Sequence, residues 1–356
     1  MTRAVPHATS WLLRVPRPFA PAPLRGFLAA HAVPGLELVD PVAGTHTRLV
    51  RTGAGAVRVV AHLADLVDGS LRVDVEPVAG PGGAGEAEGP EGADAPGGVE
   101  TVTGADGLAT RLRRWLGLDR PAGVDETLAR DAVLAPLVER RPGLVVPGSA
   151  APFETALLAV LGQQVSLGAA RTFAARLVAG LGETVGHDGP DGPDGSRGGR
   201  LRLLPSPGVL VAAGVPRVRA VTGVTGARAA TLVALAAAAV DGLDLEAARD
   251  GGPEAVDDVT RRLLRLPGVG PWTAGYVRMR ALGDADAFLA GDLVLRRAMG
   301  ADRPADALTR AEAWRPFRAY AALHLWTDAV PALTGTPQPP TASTRPTARR
   351  ASGSGR

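Results

Sequence analysis

The hydrophobic period changes once along these 356 residues, and the change limits the folds open to the chain. Up to residue 78, apolar residues alternate in short runs at 47–51, 56–63 and 71–75, with Gly and Asp between them. Alternation places successive side chains on opposite faces, which suits an antiparallel sheet with one face buried. Residues 23–32, ahead of those runs, have helical spacing. From about residue 106 the apolar residues recur every three or four positions, over 108–116, 127–139, 152–181, 227–240, 256–266, 271–282, 293–299 and 314–328. Clusters of Gly and Pro separate these stretches. The pattern predicts an α+β protein: a small antiparallel-sheet domain over 1–105, then an all-helical domain over 106–334.

Three segments cannot bury enough apolar surface to offset the entropy of ordering them. Residues 79–98 and 186–200 are Gly, Pro and acid with few apolar side chains, and read as disordered insertions. Residues 335–356 read as a disordered basic tail containing Arg345, Arg349, Arg350 and Arg356. Without those four charges, a chain of net charge +3 is close to neutral, so bulk charge does not identify a partner.

Composition removes several chemistries. The chain has no Cys, which excludes disulfides, zinc–thiolate sites, iron–sulfur clusters and thiol nucleophiles. All 39 basic residues are Arg, so no lysine amine can form a Schiff base. No run of about 18 apolar residues is free of charge or helix breakers, and residues 1–18 lack a signal-peptide core. The expected location is the cytoplasm. No organic cofactor is implied.

The chemistry concentrates in residues 263–297. In Leu266-Pro267-Gly268-Val269-Gly270 the glycines allow a tight turn and close approach of the backbone to a ligand. Pro271 suits the first position of the following helix, whose free N–H groups can bind a phosphate. Trp272 and Tyr276 are four residues apart and share a face of that helix. Asp292 then stands before another apolar stretch, where it could cap a helix or serve as a lone carboxylate at a site.

The string LPGVGPWTA followed by FLAGDLVLRRA resembles the helix-hairpin-helix DNA glycosylases, and within them the 3-methyladenine DNA glycosylase II (AlkA-type) branch. Residues 142–177 resemble the segment of that branch facing the minor groove, and residues 314–326 its closing helix. The N-terminal runs resemble the extra, TBP-like sheet domain of the branch. The likeness spans roughly residues 10–333. It implies a protein that flips a base out of double-stranded DNA and cleaves the bond to its sugar.

The resemblance assigns roles. Asp292 matches the catalytic aspartate, placed to stabilise positive charge developing on the deoxyribose. Trp272, Tyr276 and Trp326 match the base pocket, where electron-rich rings favour a cationic alkylated purine by ~0.5–2 kcal/mol. Gly268, Val269, Gly270 and Thr273 of the hairpin, with Gln163 and Gln164, match the DNA-contacting positions. Gln164 stands where the well-known member of the branch has the leucine that fills the gap left by the flipped nucleotide. Carbonyls of Leu264, Leu266 and Val269 match those that hold a monovalent Na+ or K+ in relatives. Trp272 occupies the position of the lysine used by strand-nicking relatives, which implies a monofunctional enzyme. Gly291 replaces a second acid beside Asp292, and His324 reads as structural.

The sequence therefore predicts a monomeric glycosylase of base-excision repair that removes alkylated purines from duplex DNA. The same fold acting on deaminated or oxidised bases, and a DNA-damage-binding module without turnover, are the alternatives.

Overall fold

The computed structural model describes residues 9–53, 55–78, 99–101, 107–185 and 201–335. The two insertions, and the tail beyond Gly335, lie outside the described residues. The first layer is a sheet built from β1 (Thr9–Arg14), β2 (Glu37–Asp40), β3 (Thr45–Thr52), β4 (Gly55–Val67), β5 (Ser70–Val78) and β6 (Val99–Thr101), with α1 (Pro21–His31) between β1 and β2. Strand order is β2-β3-β4-β5-β1-β6, antiparallel throughout except for the β1–β6 pair at one edge, which is parallel. Strand β1 was not expected, because the unbroken run Trp11-Leu12-Leu13 masks its period. Trp11 and Leu13 nevertheless point into the core, and Leu12 points away less deeply buried.

The sheet buries its inner face under α1 and under α2 (Gly107–Leu116). Ala109, Leu112, Trp115 and Leu116 of α2 share a core with Leu13, Val59, Leu71 and Val73 of the strands. That helix lies past residue 105 yet covers the sheet. Sequence period separates helix from strand; core membership follows the layer a helix lands on.

The helical layer continues with α3 (Val124–Leu128), α4 (Ala135–Arg140), α5 (Pro152–Leu161), α6 (Leu167–Leu181), α7 (Pro207–Thr222), α8 (Gly226–Val240) and α9 (Leu245–Asp250). It closes with α10 (Pro253–Leu264), α11 (Pro271–Arg280), α12 (Leu293–Met299), α13 (Pro304–Ala311) and α14 (Arg318–Ala329). Two stretches expected as single helices are divided. Between α3 and α4, the Asp131 carboxylate accepts the N–H groups of Val133 and Leu134, and Pro136 restarts the helix. Between α5 and α6 the chain turns over Gly162–Val165, and Ser166 caps the new helix by accepting from the Ala169 N–H at 3.3 Å. Helix α7, which the apolar period did not reveal, is kinked at Gly214, with Pro216 inside it. No helix among the described residues is long and apolar enough to cross a membrane.

Two cores organise the helices. One gathers α5, α6, α8 and the buried faces of α10 and α11. The other gathers α12, α13 and α14 with Phe27 of α1. Helix α11 contributes to both, since Ala274 and Val277 face the first core while Met279 faces the second. Its remaining face looks into the groove between the layers.

Candidate active site

A cleft of about 380 Å³ opens in that groove. Trp272, Tyr276, Asp292 and Trp326 line it from the helical layer, and Phe27 and His31 line it from α1. Four residues singled out from sequence are thus brought together. Their arrangement differs from three aromatic faces around a base.

Asp292 is the N-cap of α12: its Oδ1 accepts the Leu295 N–H at 2.9 Å. The same oxygen accepts the Trp326 indole N–H at 3.1 Å, and Oδ2 accepts that of Trp272 at 2.9 Å. Three donors converge on one carboxylate and fix its plane. Capping and a role at the site are served by the same atoms. Both tryptophans turn an edge to the acid, so they orient it as well as walling the cleft. Trp272 and Tyr276 stack on each other, with centroids 5.2 Å apart and planes 10° from parallel. With the two rings in contact, the pair presents only its outer faces for stacking by anything that enters the cleft.

Arg280, one turn beyond Tyr276, was missed by sequence reasoning. Its guanidinium donates to the Tyr276 hydroxyl at 2.9 Å and lies over the Phe27 ring at 4.3 Å. It also donates to the carbonyls of Pro147 and Gly148. Burial pulls it below the ordinary arginine value, partly offset by Tyr276. Phe27 in turn stacks on His31 at 4.0 Å. The sheet domain therefore supplies one wall of the cleft. The available signal was the i, i+4 spacing of Phe27 and His31, together with Arg280 four residues after Tyr276.

Beside Phe27 and His31, an ionic group with Glu37 and Arg48 also lines the cleft. Glu37 meets His46 at 3.3 Å and Arg48 at 3.7 Å, and accepts the Val33 N–H at 3.0 Å. Burial alone would raise the Glu37 carboxyl, but these partners hold it below its ordinary value. Arg48 also pairs with Glu154 of α5, tying the sheet to the helical layer. His324 is wholly enclosed on α14 with neither ring nitrogen partnered, far from the role of a proton donor.

The hairpin between α10 and α11 borders a second cleft, shared with Gln163 and Gln164. Gly268 has φ +80°, and a Cβ there would stand 2.1 Å from Thr231 Oγ1, so glycine is required twice over. At Gly270, the N-cap of α11, a Cβ would meet nothing. The open space leaves room for a phosphate to approach. Gln164 is exposed and has φ +54°, a left-handed conformation that costs a non-glycine residue about 1 kcal/mol or more. Its neighbour Gln163 faces inward, donating from Nε2 to the Gly268 carbonyl at 2.9 Å and to Thr273 Oγ1 at 2.8 Å. Thr273 is buried, and Val269 is buried with its N–H on the Leu266 carbonyl at 3.1 Å. The Gln163 side chain, through the Gly268 carbonyl and the Thr273 hydroxyl, braces the hairpin against the turn that carries Gln164. Leu264, expected with Leu266 and Val269 to offer a carbonyl to a monovalent cation, ends α10, and the Leu266 carbonyl already accepts the Val269 N–H.

The chain was compared with known families and structures. Residues 11–151 match the AlkA N-terminal domain. Over 323 residues the chain is 29% identical to DNA-3-methyladenine glycosylase 2 of Escherichia coli, covering 90% of this chain and 94% of the relative. Over 224 residues it is 41% identical to a probable bifunctional transcriptional activator/DNA repair enzyme AlkA of Mycobacterium tuberculosis, covering 61% of this chain. It spans only 42% of that relative's length. The structure of a 3-methyladenine DNA-glycosylase from Archaeoglobus fulgidus superposes with a TM-score of 0.67 at 22% identity, over 90% of this chain and 98% of that one, and shows the same fold. Residues 11–151 thus carry an AlkA N-terminal domain, and over most of its length the chain is similar in sequence to an AlkA-type DNA glycosylase and shares the fold of one.

Proposed function

We propose that this protein is a monofunctional DNA glycosylase that hydrolyses the N-glycosidic bond of alkylated purines in double-stranded DNA, acting as a monomer. The observation that carries the reading is the Asp292 carboxylate, held by two indole edges at an aromatic cleft. As the bond breaks, positive charge builds on the deoxyribose, and a fixed carboxylate stabilises it without reorganising. The same group can orient or deprotonate the attacking water. A base alkylated at N3 or N7 is cationic and leaves readily, so a single carboxylate suffices where a neutral base would need a strong acid. The stacked Trp272–Tyr276 pair offers an electron-rich outer face to that cation.

The hairpin would hold the phosphate beside the flipped nucleotide on the open backbone at Gly270, while exposed Gln164 would fill the vacated stack. Carbonyls of Leu264, Leu266 and Val269 would hold a monovalent cation whose charge favours that phosphate. With no lysine in the chain, the product is an abasic site and not a nicked strand. The test is to incubate purified protein with methylated duplex DNA, identify freed bases by mass spectrometry and examine the backbone for breaks. Release of 3-methyladenine or 7-methylguanine with intact strands is expected. Binding without release would replace the enzyme by a damage-binding module.

A further inference from the structure

Along the wall of the cleft, a chain of contacts leads from Asp292 through Trp272, Tyr276, Arg280 and Phe27 to His31. With the glycosidic bond of a bound purine at Asp292, the opposite edge of the purine, which carries the amino group of adenine, is directed away from that carboxylate and along this wall toward His31.

The protonation pattern of His31 is fixed by its surroundings. Its Nδ1 lies 2.8 Å from the Phe27 carbonyl oxygen, which can only accept, so Nδ1 carries the hydrogen. Burial, and then the nearby Arg280 charge, push its pKa down to about 4, with Arg171 acting in the same sense and Glu37 against it. The ring is therefore neutral near pH 7, and Nε2 is a bare acceptor. No partner within the described residues takes that lone pair, and the residue lines the cleft.

We propose that His31 is a specificity-determining residue, whose Nε2 accepts a hydrogen bond from an N–H on the edge of the base opposite the sugar. This rests on the reading that the cleft receives an alkylated purine, and it extends that reading by naming the edge chemistry selected. The stack on Phe27 holds the imidazole plane, and the Phe27 carbonyl holds its tautomer. An acceptor at this depth rewards a base carrying an amino hydrogen and leaves one without it facing an unmatched lone pair.

The experiment measures binding of free bases, so it does not depend on turnover. Affinities of 3-methyladenine and of its N6,N6-dimethyl derivative are read from quenching of protein tryptophan fluorescence, for the full chain and for His31→Phe and His31→Gln. The unaltered protein should favour 3-methyladenine about tenfold more than His31→Phe does. Added bulk on the derivative is common to both proteins and cancels in that comparison. His31→Gln, which retains an acceptor, should recover part of the preference. Equal discrimination by the unaltered protein and His31→Phe, or no discrimination in the unaltered protein, overturns the assignment. Failure to release bases from methylated DNA would strike the proposed activity and leave this comparison standing.

Discussion

Asp292→Asn is the sharpest perturbation, because the structure sets both its chemical and its structural cost. Removing the charge forfeits its attraction for the sugar cation. For unit charges about 4 Å apart at an effective dielectric of about 20, that is roughly 4 kcal/mol. At 1.36 kcal/mol per decade this corresponds to about a thousandfold in rate. The structural cost comes from the three donors. An amide oxygen in the place of Oδ1 keeps the Leu295 N–H and the Trp326 indole, which both bond that atom. The amide nitrogen then faces the Trp272 indole N–H across a former 2.9 Å hydrogen bond, donor against donor. Trp272 is half-buried and can turn to water, so the loss of folding stability should be near the lower end of about 1–3 kcal/mol. The assay is single-turnover release of 3-methyladenine from a methylated duplex, with fluorescence anisotropy on the same DNA as the control for binding. Release within tenfold of the unaltered protein, at unchanged affinity, would refute the electrostatic argument.

Three further changes test the supports of the site. Gly268→Ala adds a Cβ at positive φ and 2.1 Å from Thr231 Oγ1, so it should cost about 1–3 kcal/mol in thermal denaturation. Adding Thr231→Ala should return part of that loss, and no recovery would disprove the contact as the cause. Gln163→Ala leaves the buried Thr273 hydroxyl and the Gly268 carbonyl without their shared donor, for about 1–3 kcal/mol in urea unfolding. A loss below about 0.5 kcal/mol would mean that the brace is not formed. His324 is held neutral: burial first, then the charges of Arg141 and Arg120, push it from 6.5 to about 3. The unfolded chain takes up a proton below pH 6.5 that the native state refuses, so stability is full above 6.5 and falls on acidification toward 3 at up to roughly 1.4 kcal/mol per pH unit. Urea midpoints at pH 6.5 and 5 should show His324→Leu losing less stability than the parent, and parallel losses would exclude His324 as the source.

The sequence made legible what lies close along the chain. Alternation exposed β3, β4 and β5, and the spacing of Trp272 and Tyr276 predicted their shared helix face, because both are local geometries. Breaks made by side chains were less visible. Asp131 ends one helical turn and prepares the next by accepting two backbone N–H groups, whereas an aspartate within an apolar period reads only as a polar position. Contacts between layers were not visible at all. The 3.6-residue period shows that Phe27 and His31 share a face of α1, but not that Arg280 slides over that face. Likewise, the indole edges of Trp272 and Trp326 reach Asp292 from 20 and 34 positions away.

Asp292 shows why a capping role and the proposed catalytic role need not compete. Read from sequence, the helix cap is the plain alternative to a carboxylate placed for chemistry. In the structure the cap is part of the placement: the Leu295 N–H fixes Oδ1, and rotation about the side chain is then limited by the Trp326 and Trp272 indoles. A carboxylate on a free loop would lose orientation entropy each time it met the developing charge, whereas one already fixed by three donors does not. Those donors have a cost, since each withdraws some negative charge that could face the sugar. The arrangement is favourable only if positioning outweighs that attenuation. Asp292 itself lines the cleft beside both indoles and is only partly buried, so part of the carboxylate stays available to whatever enters.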